Sequence, residues 1–205
     1  MVNIIDLGIG NIKSIKDWVE KANMPAKRVT KFKEIDCDTL IIPGVGCAGP
    51  FMEKLKKSDF DKAIIEHVYS GKKIIGICLG FQILADHSEE NGGVNGLGLI
   101  KGNVEKLGMS LTHNGWENFY FDKKKLKTKN LRELSISGAK RIIEGRVFYN
   151  HEYGFRVAEK GNLSIPISHE HKKYIGFFIK KGIIGIQFHP EKSQATGFEI
   201  SRMFL

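Results

Sequence analysis

Solid apolar runs alternate with helically spaced apolar positions over the first half of the chain. Met1–Leu7 is one such run, and after Gly8-Ile9-Gly10-Asn11 the residues Ile12, Ile15, Val19 and Ala22 fall on one helical face. A buried strand, a turn and a helix are predicted, with Asn11 placed as its cap. A second strand is expected over Ala26–Phe32 and a third over Thr39–Ile42, which runs into Pro43-Gly44-Val45-Gly46. Phe60, Ile64, His67 and Val68 share the next helical face. Ser70-Gly71 then delivers the chain to the isoleucine-rich run Lys72–Ile77, and helical spacing resumes through Ala85. Helices between short apolar strands imply right-handed parallel crossovers, with a site at the carboxyl ends of the strands.

Beyond Asn91-Gly92-Gly93 the texture changes. Strand-like pieces at Ile100–Leu107, Trp116–Phe121, Arg146–Tyr149, Tyr174–Ile179 and Ile183–Phe188 follow one another with little helix between them. Mixed or antiparallel sheet is expected here. Asp122–Glu133 is polar and lysine-rich and reads as a surface excursion, while a last helix from about Gln194 carries Ile200, Met203 and Phe204. Residues 1–205 therefore read as a single α/β domain, a central, mostly parallel sheet flanked by helices with antiparallel sheet added in the second half.

Composition narrows the class. Hydrophobic content of 41% and charged content of 27% are ordinary for a folded globular protein. A net charge of +9 raises the thought of nucleic acid, but the lysines are scattered in pairs such as Lys56-Lys57, Lys72-Lys73 and Lys180-Lys181. A solvated surface accounts for them, so no nucleic-acid partner is expected. Three cysteines, Cys37, Cys47 and Cys78, show no framework or zinc spacing and fit a reducing cytoplasm. No leader or bilayer-length apolar run is legible, so a cytoplasmic protein without a membrane partner is expected.

Chemistry gathers where the isoleucine-rich strand ends. Gly76-Ile77-Cys78-Leu79-Gly80 sits between strand and helix, the pattern of a nucleophile elbow with sulfur in place of oxygen. Glycines at 76 and 80 leave room where strand and helix pass closely, and a thiol at a helix N-terminus feels the positive end of its dipole. Cys78 is the candidate nucleophile; the plain alternative is a small buried hydrophobe. Ile183–Phe188 leads in turn to His189-Pro190-Glu191. Residues two apart in extended backbone point the same way, so Glu191 can orient His189, giving a thiol, a base and an orienting group.

Other polar signals are weaker. Gly8-x-Gly10 lacks the rest of a dinucleotide fingerprint, and Pro43–Gly46 by itself reads as a tight turn. His169-Glu170-His171 reads as surface loop rather than a metal site, and His67 and His87 as helix residues. His113 and His151, each in a polar run with Gly, Trp or Tyr, have no assigned role.

Taken in order, Asp6–Asn11, Pro43–Gly46, Gly76–Gln82, Gly96–Ile100 and Gly185–Ser193 make the chain similar to class I, triad-type glutamine amidotransferases over essentially its whole length. Within that family the motifs most resemble the glutaminase subunit of imidazole glycerol phosphate synthase. The resemblance implies a flavodoxin-like fold and a catalytic triad of Cys78, His189 and Glu191. It implies an oxyanion hole from the backbone of Leu79 and of the loop Gly44, Val45 and Gly46, which replaces the plain turn. Gln82 matches a residue that holds L-glutamine, and Asn11, Trp116 and Lys192 match positions facing the partner.

That partner would be a (β/α)8-barrel cyclase subunit in a heterodimer, receiving ammonia through a tunnel. No metal or cofactor is expected for the glutaminase step. Two stretches depart from the family pattern, Thr112-His113-Asn114-Gly115-Trp116-Glu117 and Phe148-Tyr149-Asn150-His151-Glu152-Tyr153. Both fall on the partner-facing side. They leave open a paralogous glutaminase that feeds ammonia to an amidotransferase of bacterial surface-sugar biosynthesis.

Overall fold

The computed structural model describes residues 1–108, 112–126, 141–160 and 163–205. Strand β1 (Val2–Ile5) leads through α1 (Ile12–Lys21) to β2 (Ala26–Val29) and β3 (Thr39–Gly44). Helices α2 (Ala48–Lys57) and α3 (Phe60–Tyr69) carry the chain to β4 (Lys73–Cys78) and the short α4 (Leu79–Gln82). Then come β5 (His87–Ser88), β6 (Val94–Asn95), β7 (Gly102–Lys106), β8 (His113–Asp122) and β9 (Ile142–His151). Strands β10 (Tyr153–Val157), β11 (Leu163–Pro166), β12 (Ile175–Lys180) and β13 (Ile183–Ile186) precede the closing helix α5 (Gln194–Phe204).

Among the described residues the central sheet has seven strands in the order β11-β12-β13-β4-β3-β1-β2. The run from β13 to β2 is parallel, and β11 and β12 extend it antiparallel. Antiparallel pairing also joins β8 to β9 and β10 to β7 outside that sheet, so the second half adds antiparallel structure both to the main sheet and beside it.

Strands buried on both faces need apolar residues at successive positions, which is why β3 and β4 read as solid runs. The period of two then sorts them. Ile4, Ile41, Ile75 and Ile77 face Ile15, Trp18 and Val19 of α1 and Ile200 and Phe204 of α5. Ile5, Leu40, Ile42 and Ile74 face Phe51 and Leu55 of α2 and Phe60 and Ile64 of α3. With both faces covered, the loops at the carboxyl ends of β3, β4 and β13 are left to build a site.

Three local expectations need correction. The helix after Cys78 stops at Gln82, because the carbonyls of Ile83, Leu84 and Ala85 accept from the amides of Leu97, Ile100 and Gly98 at 2.7, 2.9 and 2.9 Å. Those acceptors are lost to the next helical turn, so His87 lies on a strand paired with Asn95 and Asn103. Asn11 stands at the N-cap of α1, yet its side chain makes no capping bond. Helix α2 is an added element, although Ala48, Phe51, Met52 and Leu55 have helical spacing. Of the expected excursion at Asp122–Glu133, residues 127–133 lie outside the described residues.

Candidate active site

Strand β4 ends at Cys78 in a conformation L-residues rarely adopt, φ 53° and ψ −112°. The turn is sharp because backbone meets backbone behind it: a Cβ on Gly80 would overlap the carbonyl oxygen of Ile42, and one on Gly76 would stand 2.6 Å from that of Gly80. The sulfur is thereby pushed to the edge of a cavity of about 320 Å³, with Cys78 only 7% exposed. Helix α4 is a single turn, so few peptide dipoles align behind the thiol. Positive charge must come from a side chain.

His189 supplies it. Its backbone is fixed on three sides: its amide donates to Phe148 O at 2.8 Å, its carbonyl accepts from Ser193 Oγ at 2.7 Å, and that same Oγ accepts from Phe148 N at 3.0 Å. Nδ1 of the ring lies 2.9 Å from Oε1 of Glu191, whose side chain is 1% exposed. A carboxylate only accepts, so Nδ1 carries a proton. Burial opposes charge on the imidazole, but hydrogen bonds to Cys78 and Glu191 and their negative charge outweigh it, and its pKa is pushed up to about 10. The protonated ring is thus favoured beside the sulfur. Oε2 of Glu191 is buried with no hydrogen-bond partner among the described residues.

Around the sulfur the cavity is lined by Val45, Gly46, Leu79, Gln82 and Lys192. Gly46 has φ +92°, a turn glycine tolerates without strain. Gly44 sits just behind, paired with Cys78 across β3 and β4, and does not line the cavity. The loop is braced where α2 begins, since Ala48 N donates to Glu90 Oε2 at 2.8 Å and Gly49 N to Asn91 Oδ1 at 3.2 Å.

Several wall residues went unread in the sequence. Glu90, Glu152 and Tyr153 line the cavity from loops and strand ends that carry no local motif. Gln187 had a usable signal, standing two residues before His189 in extended chain. His151 also lines the cavity, and His113 stands behind it. His67 is a core residue facing Lys73 O at 3.2 Å, and His169 and Glu170 are exposed. No cluster able to hold a metal occurs among the described residues.

A strand-end cysteine facing a buried His–Glu pair suits acyl transfer through sulfur. The family model for class I glutamine amidotransferases matches residues 3–204. The chain belongs to this family. Among its relatives is the imidazole glycerol phosphate synthase subunit HisH of Oceanobacillus iheyensis, 34% identical over 208 residues, covering 100% of this chain and 98% of that one. The proteins of the same name in Chlorobaculum tepidum and Bacillus subtilis are each 32% identical, covering 100% of this chain and 98% and 95% of theirs. A solved glutamine amidotransferase shares the fold at TM-score 0.71 and 17% identity over 98% of both chains. So does PurLQS from Thermotoga maritima, at TM-score 0.69 and 16% identity over 98% of this chain and 96% of that one.

Beside the mouth of this amidotransferase cavity lies an aromatic and basic patch. Trp116 packs on Phe148 with ring centroids 5.6 Å apart, Lys192 Nζ stands 5.7 Å over the Phe148 ring, and Arg146 lies 6.0 Å over Trp116. Asn11, at the start of α1, is on the helix that packs against the turn Pro190–Lys192.

Proposed function

We propose that this amidotransferase is the glutaminase subunit of an imidazole glycerol phosphate synthase, hydrolysing L-glutamine and passing ammonia to a cyclase subunit for histidine biosynthesis. The observation that carries it is the Cys78–His189–Glu191 constellation in a chain with full-length HisH relatives at 30–34% identity. That likeness favours the histidine pathway over a surface-sugar pathway.

In this reading Cys78 attacks the side-chain amide carbon as thiolate. The oxyanion is received by the amide of Leu79 and by the loop at Val45 and Gly46, donors worth roughly a hundredfold in rate or more. His189 gives its proton to the departing nitrogen, ammonia leaves, and a γ-glutamyl thioester remains. Water then adds to the thioester with His189 taking its proton, and the thiolate departs to leave glutamate. Glu191 keeps His189 in one orientation throughout. Gln82 reads the substrate, and the carboxylates of Glu90 and Glu152 suit its α-ammonium group. Trp116, Lys192 and Asn11 would face the partner, a (β/α)8 barrel. Gating follows if that contact resets the Gly44–Gly46 loop, since a coupled loop needs different contacts in its two states.

Glutamate release from L-glutamine by the purified chain tests this, with and without a cyclase subunit and its nucleotide ligand, with Cys78→Ala as blank. Strong stimulation that vanishes in the variant is expected. Cys78-dependent release indifferent to this cyclase would remove the histidine-pathway assignment.

A further inference from the structure

One polar side chain touches the sulfur without a part in that reaction. Gln187 is fully buried, and its stem is fixed by a bond from its amide to Gly176 O at 2.8 Å. Its side-chain Nε2 lies 3.8 Å from Cys78 Sγ, and its Oε1 lies 3.1 Å from Gln82 Nε2.

The orientation of both amides follows from one carbonyl. Tyr153 O can only accept, and the Gln82 side-chain atom 2.7 Å from it must therefore be the nitrogen. The other proton of that nitrogen points to Gln187, so Gln187 answers with its oxygen. Its NH2 end is left facing sulfur. Gln82, with its nitrogen committed twice, offers its oxygen to the cavity it lines. An acceptor there suits the N–H groups of glutamine.

We propose that Gln187 is a thiolate-holding residue of the glutaminase, donating a hydrogen bond to the sulfur of Cys78 and locking Gln82 with its oxygen toward the substrate. This rests on the reading of Cys78 as nucleophile. A donor to sulfur acts twice in the cycle, steadying the thiolate before attack and again when it leaves the thioester.

The test is the pH dependence of Cys78 alkylation by iodoacetamide in the full chain, read on the Cys78 peptide by mass spectrometry because the exposed Cys47 would react too. Gln187→Leu and Gln187→Met both remove the donor without adding charge beside the sulfur. In both, half-maximal alkylation should move to higher pH, and partner-stimulated kcat should fall about tenfold or more, the usual effect of losing a hydrogen bond to a charged group. Should Gln187→Leu fail to fold, Gln187→Met carries the same readout. A folded variant whose Cys78 profile superimposes on that of the unsubstituted chain overturns the proposal. Glutaminase activity that survives Cys78→Ala would instead overturn the reading beneath it.

Discussion

Nδ1 of His113 on β8 lies 3.0 Å from Nε2 of His151 on β9. The direction of that bond is fixed at its far end, where His151 Nδ1 donates to Tyr153 O at 2.7 Å. A neutral His151 then accepts at Nε2, and a neutral His113 that gives its one proton there has none for Glu117. Burial agrees, holding the pKa of His151 down to about 4, helped by the neighbouring His113, His189 and His171. His113 also faces Glu117 Oε1 at 3.2 Å, and burial lowers its pKa as well.

A pH dependence of stability follows with a definite sign. Unfolded histidine takes up a proton near pH 6.5 while His151 in the fold resists to about 4, so stability is lost as pH falls through that window. The contribution is on the order of 3 kcal/mol. Thermal unfolding from pH 7.5 to 4.5 should show Tm falling, and His151→Gln should flatten the slope. An equal slope in the variant would assign the loss to other groups.

Removing the carboxylate that orients His189 should cost turnover more than binding. Glu191→Gln keeps the shape but takes away the negative charge facing Nδ1 2.9 Å away. Glutaminase kcat is expected to fall about a hundredfold or more with KM little changed. Steady-state kinetics with saturating partner check this, and a loss confined to KM would place Glu191 in substrate binding.

Gly80→Ala tests the elbow. The new methyl would overlap Ile42 O, a backbone atom held in the central sheet, so relief requires strand and helix to part. Destabilisation of about 3 kcal/mol or more is expected, at or beyond the upper end of ordinary overpacking. Denaturant midpoints, or failure to recover soluble protein, read it directly.

The α1–α5 seam should be separable from catalysis. Trp18 Nε1 donates to Gly197 O at 2.7 Å in the core, and Trp18→Phe would remove that bond between the two helices. A loss of about 0.5–1.5 kcal/mol is expected. Chemical denaturation measures it, and glutaminase kcat at low temperature should remain near that of the unsubstituted chain.

Much of the scaffold was legible because parallel strands covered on both faces need apolar residues at consecutive positions. Ile41–Ile42 and Ile74–Ile77 meet that demand in plain view. The elbow was legible for a related reason: a strained turn against packed backbone admits little besides glycine at 76 and 80. His189 and Glu191 share a short piece of chain, so their pairing needed only a period of two. Helical spacing after Cys78 misled, since it reports an apolar face and not where the carbonyls of Ile83–Ala85 find their donors.

By itself, then, the sequence determined the sheet-and-helix plan and pointed to a candidate nucleophile, base and orienting carboxylate, because each depends on neighbours within a few residues. Only the tertiary structure decided that Cys78 and Glu191 together raise the pKa of His189 against its burial, that burial lowers that of His151 between His113 and Tyr153, and that Gln187 turns its NH2 to the sulfur. Those are matters of burial and of which donor meets which acceptor, between groups as many as 109 residues apart, and no local pattern encodes them.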